Sequence, residues 1–255
     1  MKKLILSLFV LLTLCQLSAR ADTLDSLKQK LQITKDSLKG PVYVAIANQY
    51  LIKNDSISSR RLKFLNQLEA LNYTMLALHN YSNIEDTLGL RTCYNNLSKI
   101  YRLQRKYIQA KWFILQSNSI SRSRNDVPNI IASLIELSAI KGDMEDYKWA
   151  MGDLNEALKL SVKSKKPQNE MAVQLGYAAL YRQMKEFTKA SLAIQRHQEI
   201  DDSIHKAQID SMARLAARDS IQLRKKDSII VKKKVYISKS KKTSRPNSAK
   251  RIASL

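Results

Sequence analysis

Tyr107, Tyr147 and Phe187 stand forty residues apart, and each is followed three residues later by an alanine, Ala110, Ala150 and Ala190. Seven residues past each aromatic comes an aliphatic side chain, Ile114, Leu154 and Ile194. Aromatic residues make up only 7% of the chain, so a threefold recurrence with matched alanines and aliphatics is an internal repeat rather than chance. Positions i, i+3 and i+7 share one face of a helix, where the small residue lets a neighbouring helix approach and the larger ones fill the space beside it. A chain patterned this way folds as a stack of helix pairs, each burying its faces on its neighbours.

The first 21 residues read as a secretory signal. Lys2 and Lys3 form a basic start, Leu4 to Leu14 an apolar core, and Ala19-Arg20-Ala21 an A-x-A cleavage site before Asp22. The apolar run is too short to span a membrane comfortably. Lipidation at Cys15 is the weaker reading, because Leu14 stands where lipoprotein signals resemble one another in carrying a small residue. The expected location is therefore outside the cytoplasm, in the periplasm or the cell envelope. Once Cys15 leaves with the signal only Cys93 remains, so no internal disulfide is available and the fold rests on its core. Cys93 lies in an apolar helical context, which points to a buried and unreactive thiol.

Charge divides the chain further. Of the formal +22, three belong to Lys2, Lys3 and Arg20, and residues 224–255 hold twelve Lys or Arg against the single Asp227, which leaves eight for residues 22–223. The tail is also poor in large apolar residues after Ile237, so disorder is expected from about residue 238. The resulting organisation is a signal peptide at 1–21, an N-terminal helix at 22–40, a helical repeat domain at 41–223 and a basic tail at 224–255.

Along the repeat domain, Gly40-Pro41 breaks the first helix, and Pro41 suits the first turn of the next. A helix with Val42, Ile46, Ala47 and Tyr50 on one face is followed by another from about Arg61 to His79, with Leu65, Leu68, Ala70, Tyr73 and Ala77 available to pack. Asp86 reads as an N-cap, with helices to Leu103 and from Lys106 to Ser121. Asp126 and Pro128 open a third pair, whose turn falls at Gly142-Asp143. A fourth runs from Asn169 to Met184 and from about Glu186 onward. Neither Gly nor Pro interrupts Phe187 to Ile230, so the last helix is expected to be long.

The residues within the unit resemble the tetratricopeptide repeat, or TPR. That family places a small residue, a tyrosine three later, an aromatic six after that and an alanine three later again; Ser98, Tyr101, Tyr107 and Ala110 match, as do Ala178, Tyr181, Phe187 and Ala190. In the third unit Tyr147 and Ala150 come three residues late relative to Gly142-Asp143, which implies an insertion in the turn. The first unit matches only in halves. The forty-residue period is longer than the usual length of about 34 and falls at the lower end of the range of about 40–47 for HEAT or armadillo repeats, but the motif inside the unit is TPR-like. The resemblance covers roughly residues 41–200 and implies an all-α, right-handed solenoid of about four helix pairs with a long C-terminal helix.

It also implies a concave peptide groove lined by the first helix of each pair. By position the groove residues are Asn95, Asn96, Lys99 and Arg102 in the second unit and Arg182 and Gln183 in the fourth, amides and cations suited to a peptide backbone and its carboxylates. The full Lys, Asn and Arg set of the family's carboxylate clamp is not present. The expected partner is a protein or peptide, and the expected activity is binding rather than catalysis. His79, His197 and His205 form no metal-ligand spacing, and no phosphate loop or nucleophile elbow occurs, so no cofactor and no metal is implied. Asp201, Asp202 and His205 would share one helix edge, which reads as a solvated face.

The tail cations Lys232, Lys233, Lys234, Lys239, Lys241, Lys242 and Arg245 suit membrane headgroups, acidic glycans or an acidic partner, and export argues against nucleic acid. Asp-Ser followed by Ile, Leu or Met recurs from Asp202 through Asp210 and Asp219 to Asp227. The wider pattern resembles the extracytoplasmic TPR regions of Bacteroidota sensor-regulators, which continue into a membrane helix and a signalling domain. No transmembrane helix is expected in the mature chain, because Lys232-Lys233-Lys234 splits the apolar residues between Ser228 and Ser238. The resemblance then implies a sensor-like region of a truncated regulator.

Export should remove the first 21 residues, and intact-mass measurement of the mature protein should place its N-terminus at Asp22. A chain that retains Met1 in envelope fractions would instead identify the segment as an anchor.

Overall fold

The computed structural model describes residues 23–243, with side chains beyond Gln222 described only for Lys226 and Ile229. Residues 1–22, which include the segment read as a signal, and residues 244–255 lie outside this range. Within it the chain is all-α, and no strand occurs among the described residues. Among the described residues nine α-helices succeed one another: α1 Thr23–Ile33, α2 Lys39–Ser56, α3 Arg60–Asn83, α4 Thr87–Leu103, α5 Tyr107–Ser123, α6 Val127–Asp143, α7 Tyr147–Ser164, α8 Pro167–Gln183 and α9 Phe187–Thr243. From α2 onward they pack consecutively as antiparallel pairs, α2 with α3, α4 with α5 and α6 with α7, each pair resting on the next.

The turns explain the repeat. Glu85, Arg105, Asn125, Glu145, Lys165 and Lys185 fall at intervals of twenty residues, and each has a positive φ of 52–65°. At five of the six, the amide of the left-handed residue donates to the carbonyl three back, and the next amide donates to the carbonyl five back. At Arg105 these are Arg105 N to Arg102 O at 2.9 Å and Lys106 N to Tyr101 O at 2.8 Å. This is the Schellman arrangement, which satisfies carbonyls that the helix end would otherwise leave bare. The residue that ends one helix also starts the next, since Lys106 O accepts from Ala110 N at 3.0 Å. Lys165 departs from the pattern, because Lys166 N turns instead to Ser164 Oγ at 3.3 Å.

Packing follows the expected faces. Ala110 and Ala150 are fully buried and Ala190 nearly so, while Ile114 and Leu154 fill the space beside them. The largest core among the described residues joins α6, α7, α8 and α9 through Ile131, Leu134, Leu154, Val173, Tyr177 and Ala193. Phe187 does not share the burial of Tyr107 and Tyr147; it is 68% exposed, and Ile194 covers only the edge of the core. Cys93 is buried among Val44, Ala77 and Tyr81. Burial, reinforced by Asp86, pushes its thiol up to about 12, so it stays protonated and unreactive at physiological pH.

Four boundaries differ from the sequence reading. The third unit has no insertion. Ser138 and Lys141 occupy the places of Ser98 and Tyr101, and the chain turns at Met144, Glu145 and Asp146, so Gly142 and Asp143 belong to the last turn of α6. The first break comes earlier than Gly40-Pro41. Helix α1 ends at Ile33, a 3-10 turn covers Asp36–Leu38, and α2 begins at Lys39 with Pro41 in its first turn. Asn80 of α3 holds this break, accepting from Gly40 N at 2.9 Å through Oδ1 and donating through Nδ2 to Asp36 O at 2.5 Å. The packed body forms one compact unit to Ile200 rather than to 223, with a second unit from Asp201 onward. In that second unit Ile209, Met212, Leu215, Ile221 and Ile229 are exposed. Finally, α9 continues to Thr243, past residue 238, because no Gly or Pro stops it. In α3, Leu65 and Leu68 are exposed, while Ala70 and Ala77 pack as expected.

The recurring left-handed residues are not glycines, so each holds a conformation that disfavours an L side chain by about 1–2 kcal/mol. Arg105→Gly and Lys185→Gly should each raise stability by about 1 kcal/mol, read as a higher denaturant midpoint at constant slope. Unchanged or lowered midpoints for both would refute strain at these turns.

Candidate functional site

A groove of about 690 Å³ lies across the first helices of the second, third and fourth pairs, α4, α6 and α8. The forty-residue period brings equivalent positions side by side in it. Asn95, Ile135 and Leu175 form one row, and Lys99, Ala139 and Ala179 form the next. The groove therefore changes character along its length. It is amide and cation on α4 and apolar with small side chains on α6 and α8. Gly176 lets α8 pack closely on α7, since a Cβ there would meet Leu154 Cδ2 at 2.8 Å. Lys99 is exposed, and Asn95 is half-buried beside it.

Along one edge of the groove a polar network ties the three helices together. Arg102 Nε donates to Asp143 Oδ2 at 2.6 Å, and Arg102 Nη1 lies 3.6 Å from Glu136 Oε1. Gln183 Nε2 donates to the other Asp143 oxygen at 2.8 Å. Burial works against the Arg102 cation, but its hydrogen bond to Asp143 and the charge of Glu136 more than offset it and hold its pKa above the ordinary value. Glu136 Oε1 accepts no hydrogen bond, so the guanidinium is its compensation. Gly142 has an ordinary helical φ, and its role is space: a Cβ there would overlap the Gln183 side chain and break the bond to Asp143.

The residues expected at the groove divide three ways. Asn95, Lys99, Arg102 and Gln183 line it. Asn96 does not. It is buried, and its Nδ2 donates to Asn48 Oδ1 at 2.9 Å, linking α4 to α2. Arg182 is exposed at the end of α8 and is not part of the lining. Ile135, Leu175, Ala139, Ala179, Glu136 and Asp143 were missed, although stepping forty residues on from Asn95 and Lys99 finds the first four. Of the tail cations, Lys232, Lys233, Lys234, Lys239, Lys241 and Lys242 fall on the α9 backbone, and Arg245 lies outside the described residues. Asp201 Oδ1 and His205 Nε2 stand 3.6 Å apart. Among the described residues no group of three or more His, Cys, Asp or Glu is placed to hold a metal ion, and no helix is long and apolar enough to cross a membrane.

Helix pairs stacked in sequence around such a groove define an all-α helical-repeat protein. The crystal structure of BtubC (BKLC) from P. vanneervenii, also a helical-repeat protein, is similar to it, with a TM-score of 0.52 over 69% of this chain and 68% of that one. At 17% identity the likeness concerns the fold. No family model and no curated protein matches the sequence.

Removing Arg102 would leave the Asp143 and Glu136 carboxylates without their cation. Arg102→Met should destabilise the protein by about 1–3 kcal/mol, and adding Asp143→Asn should recover part of that loss. Strictly additive losses in denaturant unfolding would show that the network does not act as a unit.

Proposed function

We propose that the protein is a non-enzymatic, TPR-like scaffold of the cell envelope that holds a peptide segment of another protein in the groove across α4, α6 and α8. The graded lining of that groove carries the reading. Ile135, Leu175, Ala139 and Ala179 offer an apolar bed with room for side chains, while Lys99 and Asn95 offer a cation and an amide at one end. A segment with apolar side chains followed by an acidic residue or a carboxylate complements both parts. The small-x-x-Tyr and aromatic-x-x-Ala motifs support the TPR assignment, and the A-x-A site at residues 19–21 supports export. Five glycines in 255 residues leave little of the loop structure on which active sites are usually built.

A second reading rests on the charge of residues 224–255, twelve Lys or Arg against Asp227. On it the tail binds anionic headgroups or glycans, the repeats serve as its support, and affinity falls steeply with salt. A third, from the sequence pattern, is a sensor-like region of a regulator.

Peptides selected from a random display library on the full mature chain separate these readings. Ala179→Trp plugs the apolar bed from an exposed position, and Lys99→Glu reverses the charge at the polar end. Each should weaken the selected peptides by about tenfold or more, or about 1.4 kcal/mol. Arg182→Ala, outside the groove, and removal of residues 238–255 should leave them bound. Peptides indifferent to both groove variants would refute the groove, and loss of binding on tail removal alone would favour the second reading.

A further inference from the structure

The forty-residue repeat places three residue pairs at one structural position: Tyr101 with Phe113, Lys141 with Asp153, and Tyr181 with Ala193. Each pair faces across from the first helix of its unit to the second, and the three are filled differently. Tyr101 and Phe113 stack, with ring centres 5.4 Å apart and 3° between planes, and Tyr94 and Trp112 close around Phe113. Lys141 Nζ meets the two Asp153 carboxylate oxygens at 2.9 and 2.7 Å. Ala193 has only a methyl group and cannot cover Tyr181. A cleft of about 370 Å³ opens there, lined by Tyr177, Tyr181, Leu192 and Ala193, with Gln174 and Lys189 around them.

Its wall is already arranged for a ring. Tyr177 and Tyr181 stack at 6.0 Å with 19° between planes, and Lys189 Nζ lies 5.7 Å from the Tyr181 centre. Tyr177 is fixed by its hydroxyl, which donates to Asn155 Oδ1 at 2.7 Å; burial pushes that phenol up to about 12, so the donor proton is kept. Gln174 and Leu192 stand at the places of Tyr94 and Trp112, smaller residues that leave the mouth open. The cleft residues of α8, Gln174, Tyr177 and Tyr181, lie on the opposite side of that helix from its groove residues Ala172, Leu175 and Ala179.

We propose that this cleft takes an aromatic side chain of a partner polypeptide, its ring packed on Tyr181 as Phe113 packs on Tyr101. The occupant comes from another molecule. Residues 244–255 contain no aromatic residue, Phe9 belongs to the segment read as a cleaved signal, and Tyr236, the only aromatic beyond Phe187, belongs to the same helix as Ala193. The site is separate from the groove and stands whether or not the groove binds a peptide.

The test is an NMR titration of the full mature chain with N-acetyl-phenylalaninamide, and with N-acetyl-leucinamide as the apolar control. Saturable shifts are expected at Tyr177, Tyr181 and Ala193, with the leucine probe roughly three- to tenfold weaker, the margin set by ring stacking. Ala193→Phe should fill the cleft as Phe113 does and abolish the response without moving the Lys99 or Gln183 signals. Should that variant fail to fold, Tyr181→Leu serves, and it should erase the preference for phenylalanine over leucine. No saturable shift, equal response to the two probes, or a response that survives both variants would overturn the proposal. Concentration-dependent dimerisation that Ala193→Phe abolishes would overturn the partner assignment in favour of a second copy of the chain.

Discussion

A three-residue turn closed by a left-handed residue sets the geometry on which everything else in this protein depends. Because the same few residues stop one helix and start the next, each helix from α4 to α8 is held to 17 or 18 residues, and corresponding positions recur every forty. The hydrogen bonds that achieve this are backbone bonds, so side chains at the turn are free to vary, as Glu85, Arg105, Asn125, Glu145, Lys165 and Lys185 do. A glycine would satisfy the conformation at least as well. The protein uses polar and charged residues, which keeps the exposed turns hydrophilic at the expense of some backbone strain.

With the spacing settled, the same place in successive units can be given different chemistry without disturbing the stack. The position that holds an aromatic stack in the second pair holds an ion pair in the third and an open cleft in the fourth. Lys141 and Asp153 are both largely buried, and burial works to raise the Asp153 carboxyl, an effect that the Lys141 hydrogen bond only partly offsets. A buried ion pair is a costly substitute for two rings. The two helices pair in the same register with either contact between them.

The groove obeys the same logic on the other face. Three first helices present equivalent rows, and changing Asn95 and Lys99 to Ile135 and Ala139, then to Leu175 and Ala179, turns a repeated surface into a directional one. The network of Arg102, Glu136, Asp143 and Gln183 then ties the three helices together along one edge of the groove, which fixes the lining.

The sequence by itself determined the helical class, the forty-residue period, the cap at Asp86, the helix start at Asp126 and Pro128, the long last helix and most of the α4 side of the groove. These are local or periodic properties, set by hydrogen bonds and apolar spacing within a few turns of chain. Tertiary structure decided what depends on contacts distant in sequence. It put Asn96 against Asn48 and out of the groove, placed Asn80 across the break before α2, and joined Asp143 to Arg102 and Gln183 some forty residues to either side. It also showed that Lys141 replaces a tyrosine in register, where motif matching implied an insertion. A lysine is recognisable as a tyrosine's substitute only once Asp153 is seen opposite it, because that compensation lies between two helices and not along either one.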